Sequence, residues 1–385
     1  PRVGLRAGLT DAGEAIRHLR HVSNTPRPAG FYTPGNPGDF ANANSDMAYR
    51  GDIVFVGNFN GFQIYDVSEP RTPKLITTVP CPGGQGDVSV HGNLLFMSVE
   101  ETRGRTDCGT QGVRDTVSAE RFRGVRIWNI AELRAPKQVG FVQTCRGSHT
   151  HTLVPDPRDS TSVYIYVSGT STVRSPNELT GCSRGGDADP SSSRFSIDVI
   201  KVPLAAPSQA RIIASPRLFA DERGAIAGLW RGGDHGTGTQ ETAETDQCHD
   251  ITVYPALGLA AGACSGNGIL LDITDPASPR RVHEVSDPNF AYWHSATFNN
   301  DGTTVLFSDE WGGGTSPRCR PTDKPLWGAN ALFTLANKRL TPAGYYKMPA
   351  PQTAAENCVA HNGSLIPVPG RDIMVQAFYQ GGITV

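Results

Sequence analysis

Gly61–Val79 reads GFQIYDVSEPRTPKLITTV: an apolar strand, an aspartate, a short polar stretch with prolines, and a second strand. Variants return at Gly124–Val142 (GVRIWNIAELRAPKQVGFV) and Gly268–Val285 (GILLDITDPASPRRVHEV), with weaker copies at Phe195–Ile213 and Ala329–Met348. A second phrase recurs ahead of these copies. It is a polar residue, an alternating strand, a turn and a very apolar strand, as in Asp46–Gly57 (DMAYRGDIVFVG), Asp87–Val99 (DVSVHGNLLFMSV), His294–Asp309 (HSATFNNDGTTVLFSD) and His361–Phe378 (HNGSLIPVPGRDIMVQAF). Period-two alternation marks half-buried strands, and apolar runs mark fully buried ones.

Joined, the two phrases make a four-stranded antiparallel unit with strands a, b, c and d in chain order. Repetition of such a unit predicts an all-β fold, a β-propeller with one unit per blade. Residues 1–385 read as one propeller domain, with blades starting near Asp46, Asp87, His149, His249, His294 and His361. The last holds strands a and b and the start of c. In the extension over residues 1–44, Arg17–Val22 (RHLRHV) reads as a lone d strand that closes the ring on another blade's edge. The segment Gly381–Val385 (GGITV) stops inside a strand, so the natural chain is expected to continue, with seven blades and six as the alternative. An open solenoid would leave sheet faces uncovered.

The phrase GFQIYDVSEPRTPKLI resembles the repeat of the LVIVD-repeat family of secreted bacterial propellers, from about Ser45 onward. Cys358–Val385 is similar to actinobacterial-type members, whose chains continue into another blade. The resemblance implies the fold. It implies little about activity, because the family is defined by its repeat.

The chain carries 43 glycines and 29 prolines, which suits many tight turns. Its formal net charge is -2, with no basic block and no acidic tail, so nothing points to nucleic acid or an anionic membrane as partner. No apolar run is long enough to span a bilayer. The start at Pro1 suits a mature or trimmed N-terminus. Eight cysteines, an even count, favour an oxidising compartment, with the chain secreted, periplasmic or at the cell surface; buried free thiols in a cytosolic protein are the alternative.

Four of the ten histidines occupy one register when the blades are aligned: His149, His249, His294 and His361. Ser45 and Gly86 hold that place in the first two blades. The first strand of a blade lines a propeller's central channel, so these imidazoles are expected at one mouth of it. Together they suit Zn, Cu or Fe. Separately, each would serve as a polar group bonded to water. His151 points to the same side as His149 and competes for the ligand role. His235 lies in a Gly-rich insertion, Arg231–Asp246, that reads as a lid or a solvated loop. Thr150, Asp250, Ser295 and Asn362 follow the registered histidines and either orient imidazoles or cap strand ends. Glu100 and Glu310 coincide at the end of strand b, where they would bond ligand imidazoles or face water. His18, His21, His91 and His283 fall outside the register.

The blade alignment also orders the cysteines. Cys81, Cys145, Cys248 and Cys358 fall in d–a connections, and Cys108, Cys182, Cys264 and Cys319 in or beside b–c connections. These two kinds of connection emerge on one face. Spacing alone leaves many pairings. The register predicts Cys81–Cys108, Cys145–Cys182, Cys248–Cys264 and Cys319–Cys358.

No Walker A loop, strand-turn-helix GxGxxG or CxxC is present. Two readings of function follow. One is a metal-dependent oxidoreductase acting on a small molecule, its constellation similar to those of the carotenoid-cleaving oxygenases and the selenium-binding or methanethiol-oxidase family. The other is a non-catalytic extracellular module binding a protein or glycan through its rim loops, Thr102–Phe122 and Ser171–Ser193.

Overall fold

A computed structural model describes residues 4–6, 8, 11–36, 39–349 and 353–385. The chain is an all-β propeller of antiparallel blades, with no α-helix among the described residues. The first blade is β1 (Asn44–Arg50), β2 (Ile53–Asn58), β3 (Gly61–Asp66) and β4 (Lys74–Pro80). The second is β5 (Val88–His91), β6 (Leu94–Val99), β7 (Gly124–Asn129) and β8 (Lys137–Gln143). The third is β9 (Thr152–Asp156), β10 (Asp159–Val167), β11 (Asp198–Pro203) and β12 (Arg211–Ala214). A small hairpin follows, β13 (Gly233–Asp234) and β14 (Glu241–Thr242). The fourth blade is β15 (Asp250–Tyr254), β16 (Leu259–Cys264), β17 (Asn267–Asp272) and β18 (Arg280–Val285). The fifth is β19 (Trp293–Phe298), β20 (Thr304–Asp309), β21 (Asn330–Ala336) and β22 (Arg339–Tyr346). The last has three strands, β23 (Gly363–Val368), β24 (Arg371–Ala377) and β25 (Ile383–Thr384). Two compact units are present, one ending at His149 with the first two blades and one starting at Thr150 with the other four.

The recurring phrase is strands c and d of each blade, and its chemistry explains the hairpin. Gly61 has φ +130°, and a Cβ there would lie 2.0 Å from the carbonyl oxygen of Val79. Gly124 repeats this with φ +144° and 2.1 Å to Val142. Only glycine lets strand d approach so closely. At the other end of strand c, Asp66 accepts the N–H of Ser68, Asp272 that of Thr274, and Asn129 that of Ala131. Such side-chain turns release the strand into the c–d loop. The next N–H returns to the a–b turn: Val67 donates to Asp52, Ile130 to Asn93 and Ile273 to Gly258.

Every c–d pair carries a register shift at one place: Ile64/Tyr65, Ile127/Trp128, Val199/Ile200, Leu270/Leu271 and Leu332/Phe333. A bulge bends its strand and raises the local twist. Strands b and c supply the core. All residues of β6, β16 and β17 are buried. Trp293, Phe290, Phe307 and Phe333 pack together in the fourth and fifth blades.

In the second unit the first strands of successive blades lie side by side, joined by hydroxyls. Thr150 donates to the carbonyl of His249, Thr152 to Ile251 (2.6 Å), Thr252 to Ala296 (2.7 Å), Ser295 to His361 (3.1 Å) and Thr297 to Gly363 (3.3 Å). Thr150 and Ser295, which follow registered histidines, therefore bond main chain of the next blade.

One expectation is corrected. Arg17–Val22 is not a strand; it is irregular, with Leu19 55% and Val22 48% exposed. Its apolar residues stand three apart, so they share no strand face. His21 in that segment bonds locally, to Glu14 and to the carbonyl of Ser23. The described residues hold the six expected blades, the last with three strands. The cysteine register fares better. Cys81–Cys108, Cys248–Cys264 and Cys319–Cys358 are bonded as expected. Cys145 and Cys182 are also disulfide-bonded, and no cysteine is free.

Candidate metal centre

In the second unit, three registered histidines come together. His249 precedes β15, His294 is the second residue of β19, and His361 precedes β23. The His294 ring stands between the other two, its centroid 3.7 Å from that of His249 and 4.4 Å from that of His361. His294 is fully buried, while 31% of the His361 side chain is exposed, so the cluster has one dry side and one wet side.

Glu310 follows β20 and reaches the same place. Its Oε2 lies 3.5 Å from Nε2 of His294, and its Oε1 3.7 Å from Nε2 of His361. Asp250 does the like for the other end, with Oδ1 3.7 Å from Nδ1 of His249. These separations exceed ordinary hydrogen bonds. Two ligand atoms each about 2.1 Å from one ion stand roughly 3.0–3.5 Å apart, close to the spacing seen. Two sets, His294–Glu310–His361 and His249–Asp250–His294, have one ligand atom per residue all within 4.8 Å of one another.

The surroundings fix these side chains. The main chain of His249 donates to Ala263, and that of His361 to Ala377. Cys248, beside His249, is bonded to Cys264 and donates its N–H to Ser168 Oγ. The Tyr379 hydroxyl donates to Oε1 of Glu310, and its ring stands edge-on to His361 at 4.9 Å. Burial pushes this phenol well above the usual tyrosine range. The Tyr292 ring lies edge-on to His249 at 6.1 Å, and burial pushes its phenol up to about 12. Asp309 is wholly buried, which pushes its carboxyl up to about 7, against three main-chain donors, Ala291, Tyr292 and Gly328. Those bonds pin the approach to His294.

In the first unit, Nδ1 of His149 lies 2.7 Å from Oε1 of Glu100. His151, just ahead of β9, is buried. His235 stacks on Trp230, ring centroids 3.7 Å apart at 14°. The insertion around it is tied to the chain leading into His294: Gln240 donates to Pro288, Thr242 to Phe290 and Ala243 to Ala291.

Sequence reasoning missed Tyr292, Asp309 and Tyr379. Asp309 stands one place before Glu310, and Tyr379 one place beyond the repeated phrase His361–Phe378, so register alone carried no signal for them. Tyr292 lies in the d–a connection, where no repeat applies.

The chain matches no known family profile and no curated protein. Among solved structures it is similar to the periplasmic gluconolactonase PpgL of Pseudomonas aeruginosa, at 11% identity over 88% of this chain and 78% of that one, with a TM-score of 0.51. It is also similar to the hydrazine synthase of Kuenenia stuttgartiensis, at 9% identity over 88% and 81%, with a TM-score of 0.50. At such identities the likeness is one of fold, which agrees with the blade architecture and leaves function to the site.

Proposed function

We propose that the chain is a metal-dependent oxidoreductase acting on a small molecule, with His294, His361 and Glu310 as the core ligands and His249 beside them. The observation that carries this is the convergence of those three ligand atoms within 4.8 Å, on a fully buried His294. Two imidazoles and one carboxylate, with room for further ligands, are the donor set of non-haem Fe(II) oxygenases; copper and zinc also accept such donors. A redox-active ion there would supply the electron and oxygen chemistry. Glu310 would set the charge of the centre, Tyr379 would hold Glu310 in place, and the exposed flank of His361 would admit substrate.

The disulfides suit an oxidising compartment, which supports placing the protein outside the cytosol. The repeated c–d phrase supports membership of the LVIVD-repeat family.

Metal analysis of the purified protein tests the function. Wild type is expected to hold iron or copper stoichiometrically. His294→Ala should lose it while keeping the wild-type circular dichroism spectrum. A wild-type protein that holds no transition metal, and takes none up when supplied with iron, copper or zinc, would overturn the reading in favour of a binding propeller.

A further inference from the structure

Asp250 departs from the pattern of the inner strands. Thr150 and Ser295, each just after a registered histidine, donate their hydroxyls to main-chain carbonyls of the next blade, those of His249 and His361. Asp250 holds the same place after His249, at the head of β15, and a carboxylate has no proton to donate. Among the described residues, the only partner of this carboxylate is Nδ1 of His249, at 3.7 Å, beyond hydrogen-bond reach. Its side chain is 17% exposed and that of His249 9%. Withdrawing a carboxylate that far from water without a donor is costly, and a cation offsets the cost. The exposure that remains leaves a way in for an ion.

Asp250, His249 and His294 make up the second of the two ligand sets, and the two sets share His294 and no other residue. Each set has its own carboxylate, Asp250 in one and Glu310 in the other, so each can neutralise part of the charge of a divalent ion. The His294 ring stands between those of His249 and His361, with Nε2 facing Glu310 at 3.5 Å. An imidazole whose N–H proton a metal displaces offers a nitrogen to each of two ions.

We propose that the centre takes two transition-metal ions, one on Nε2 of His294, Glu310 and His361, and a second on His249, Asp250 and the other ring nitrogen of His294. The second ion accounts for a carboxylate where the other blades place a hydroxyl that ties two strands together. The proposal rests on the metal-centre reading and adds to it the number of ions and the ligand pair His249–Asp250.

Equilibrium dialysis of chelator-stripped protein against copper(II), with bound metal counted per chain, tests the second site. Wild type should bind two ions. Asp250→Asn keeps the size of the side chain and should weaken the second ion by at least about tenfold while holding the first as wild type does. Electron paramagnetic resonance at low temperature gives a readout that a merely structural role would not move. Two copper ions joined by one imidazolate couple antiferromagnetically, so the signal of the first equivalent should fall as the second binds. One ion in wild type, two held equally well in Asp250→Asn, or a second equivalent that doubles the signal would each overturn the second site and leave the first standing. No ion in wild type would overturn both. Should Asp250→Asn fail to fold, the titration of wild type followed by resonance decides alone.

Discussion

Nδ1 of His149 lies 2.7 Å from Oε1 of Glu100, a glutamate closing strand b of one blade paired with the histidine that opens the next. Glu310 and His361 repeat the relationship in the fifth and last blades at 3.7 Å. In the first pair both side chains are about 15% exposed (14% and 16%), so solvent screens the bond little. Glu100→Ala removes the acceptor and leaves the imidazole partly desolvated. We expect a loss of about 1–3 kcal/mol in unfolding free energy, read from urea midpoints at neutral pH. No change in midpoint would show the pair to be energetically idle.

Tyr379→Phe keeps the ring against His361 and removes only the hydroxyl that Glu310 accepts. Outer groups that orient a ligand typically govern metal affinity by roughly 10–100-fold. Competition with a chromogenic chelator should show a loss in that range, with the melting temperature nearly unchanged. Affinity equal to wild type would show that Glu310 does not depend on the tyrosine.

The Cys248–Cys264 bridge spans 16 residues and anchors the approach to His249. Replacing both cysteines with serine should cost about 2–4 kcal/mol in stability by freeing the unfolded chain. Peptide mapping without reduction should recover Cys81–Cys108, Cys248–Cys264 and Cys319–Cys358 as linked peptides. Recovery of Cys81 linked to Cys358 would contradict the blade register itself.

Asp272, at the end of β17, accepts from Lys338 at 2.9 Å and from Thr274, and the lysine foremost holds its carboxyl well below the usual carboxylate range. A depressed folded-state pKa stabilises the protein above the unfolded value, near pH 4, and that contribution is lost as pH falls further. Lys338 is half exposed, so the pair is worth only about 0.5–1 kcal/mol. Lys338→Met should therefore be less stable than wild type at pH 7, with the gap closing as pH drops below about 4. Guanidinium melts across that range would decide it; a gap independent of pH would remove the ion pair as its cause.

Much of this was open to inspection in the linear chain, because a blade is a local object. The glycine at the head of Gly61–Val79, the aspartate that turns strand c and the apolar run of strand b all act within one hairpin, over a few residues. Such constraints repeat as text, and the histidine and cysteine registers came with them. Arg17–Val22 failed the same treatment because strand pairing depends on a partner that no local pattern supplies.

The site was only half legible for the same reason. Periodicity could align His249, His294 and His361, since each opens a blade. It could not say that Glu310 points between two of them, or that Tyr379 holds that carboxylate. Those relations join residues from different blades or from loops outside the repeat. They arise from how the β19 and β23 edges pack and from desolvation at fully buried His294, quantities that exist only once the blades are side by side.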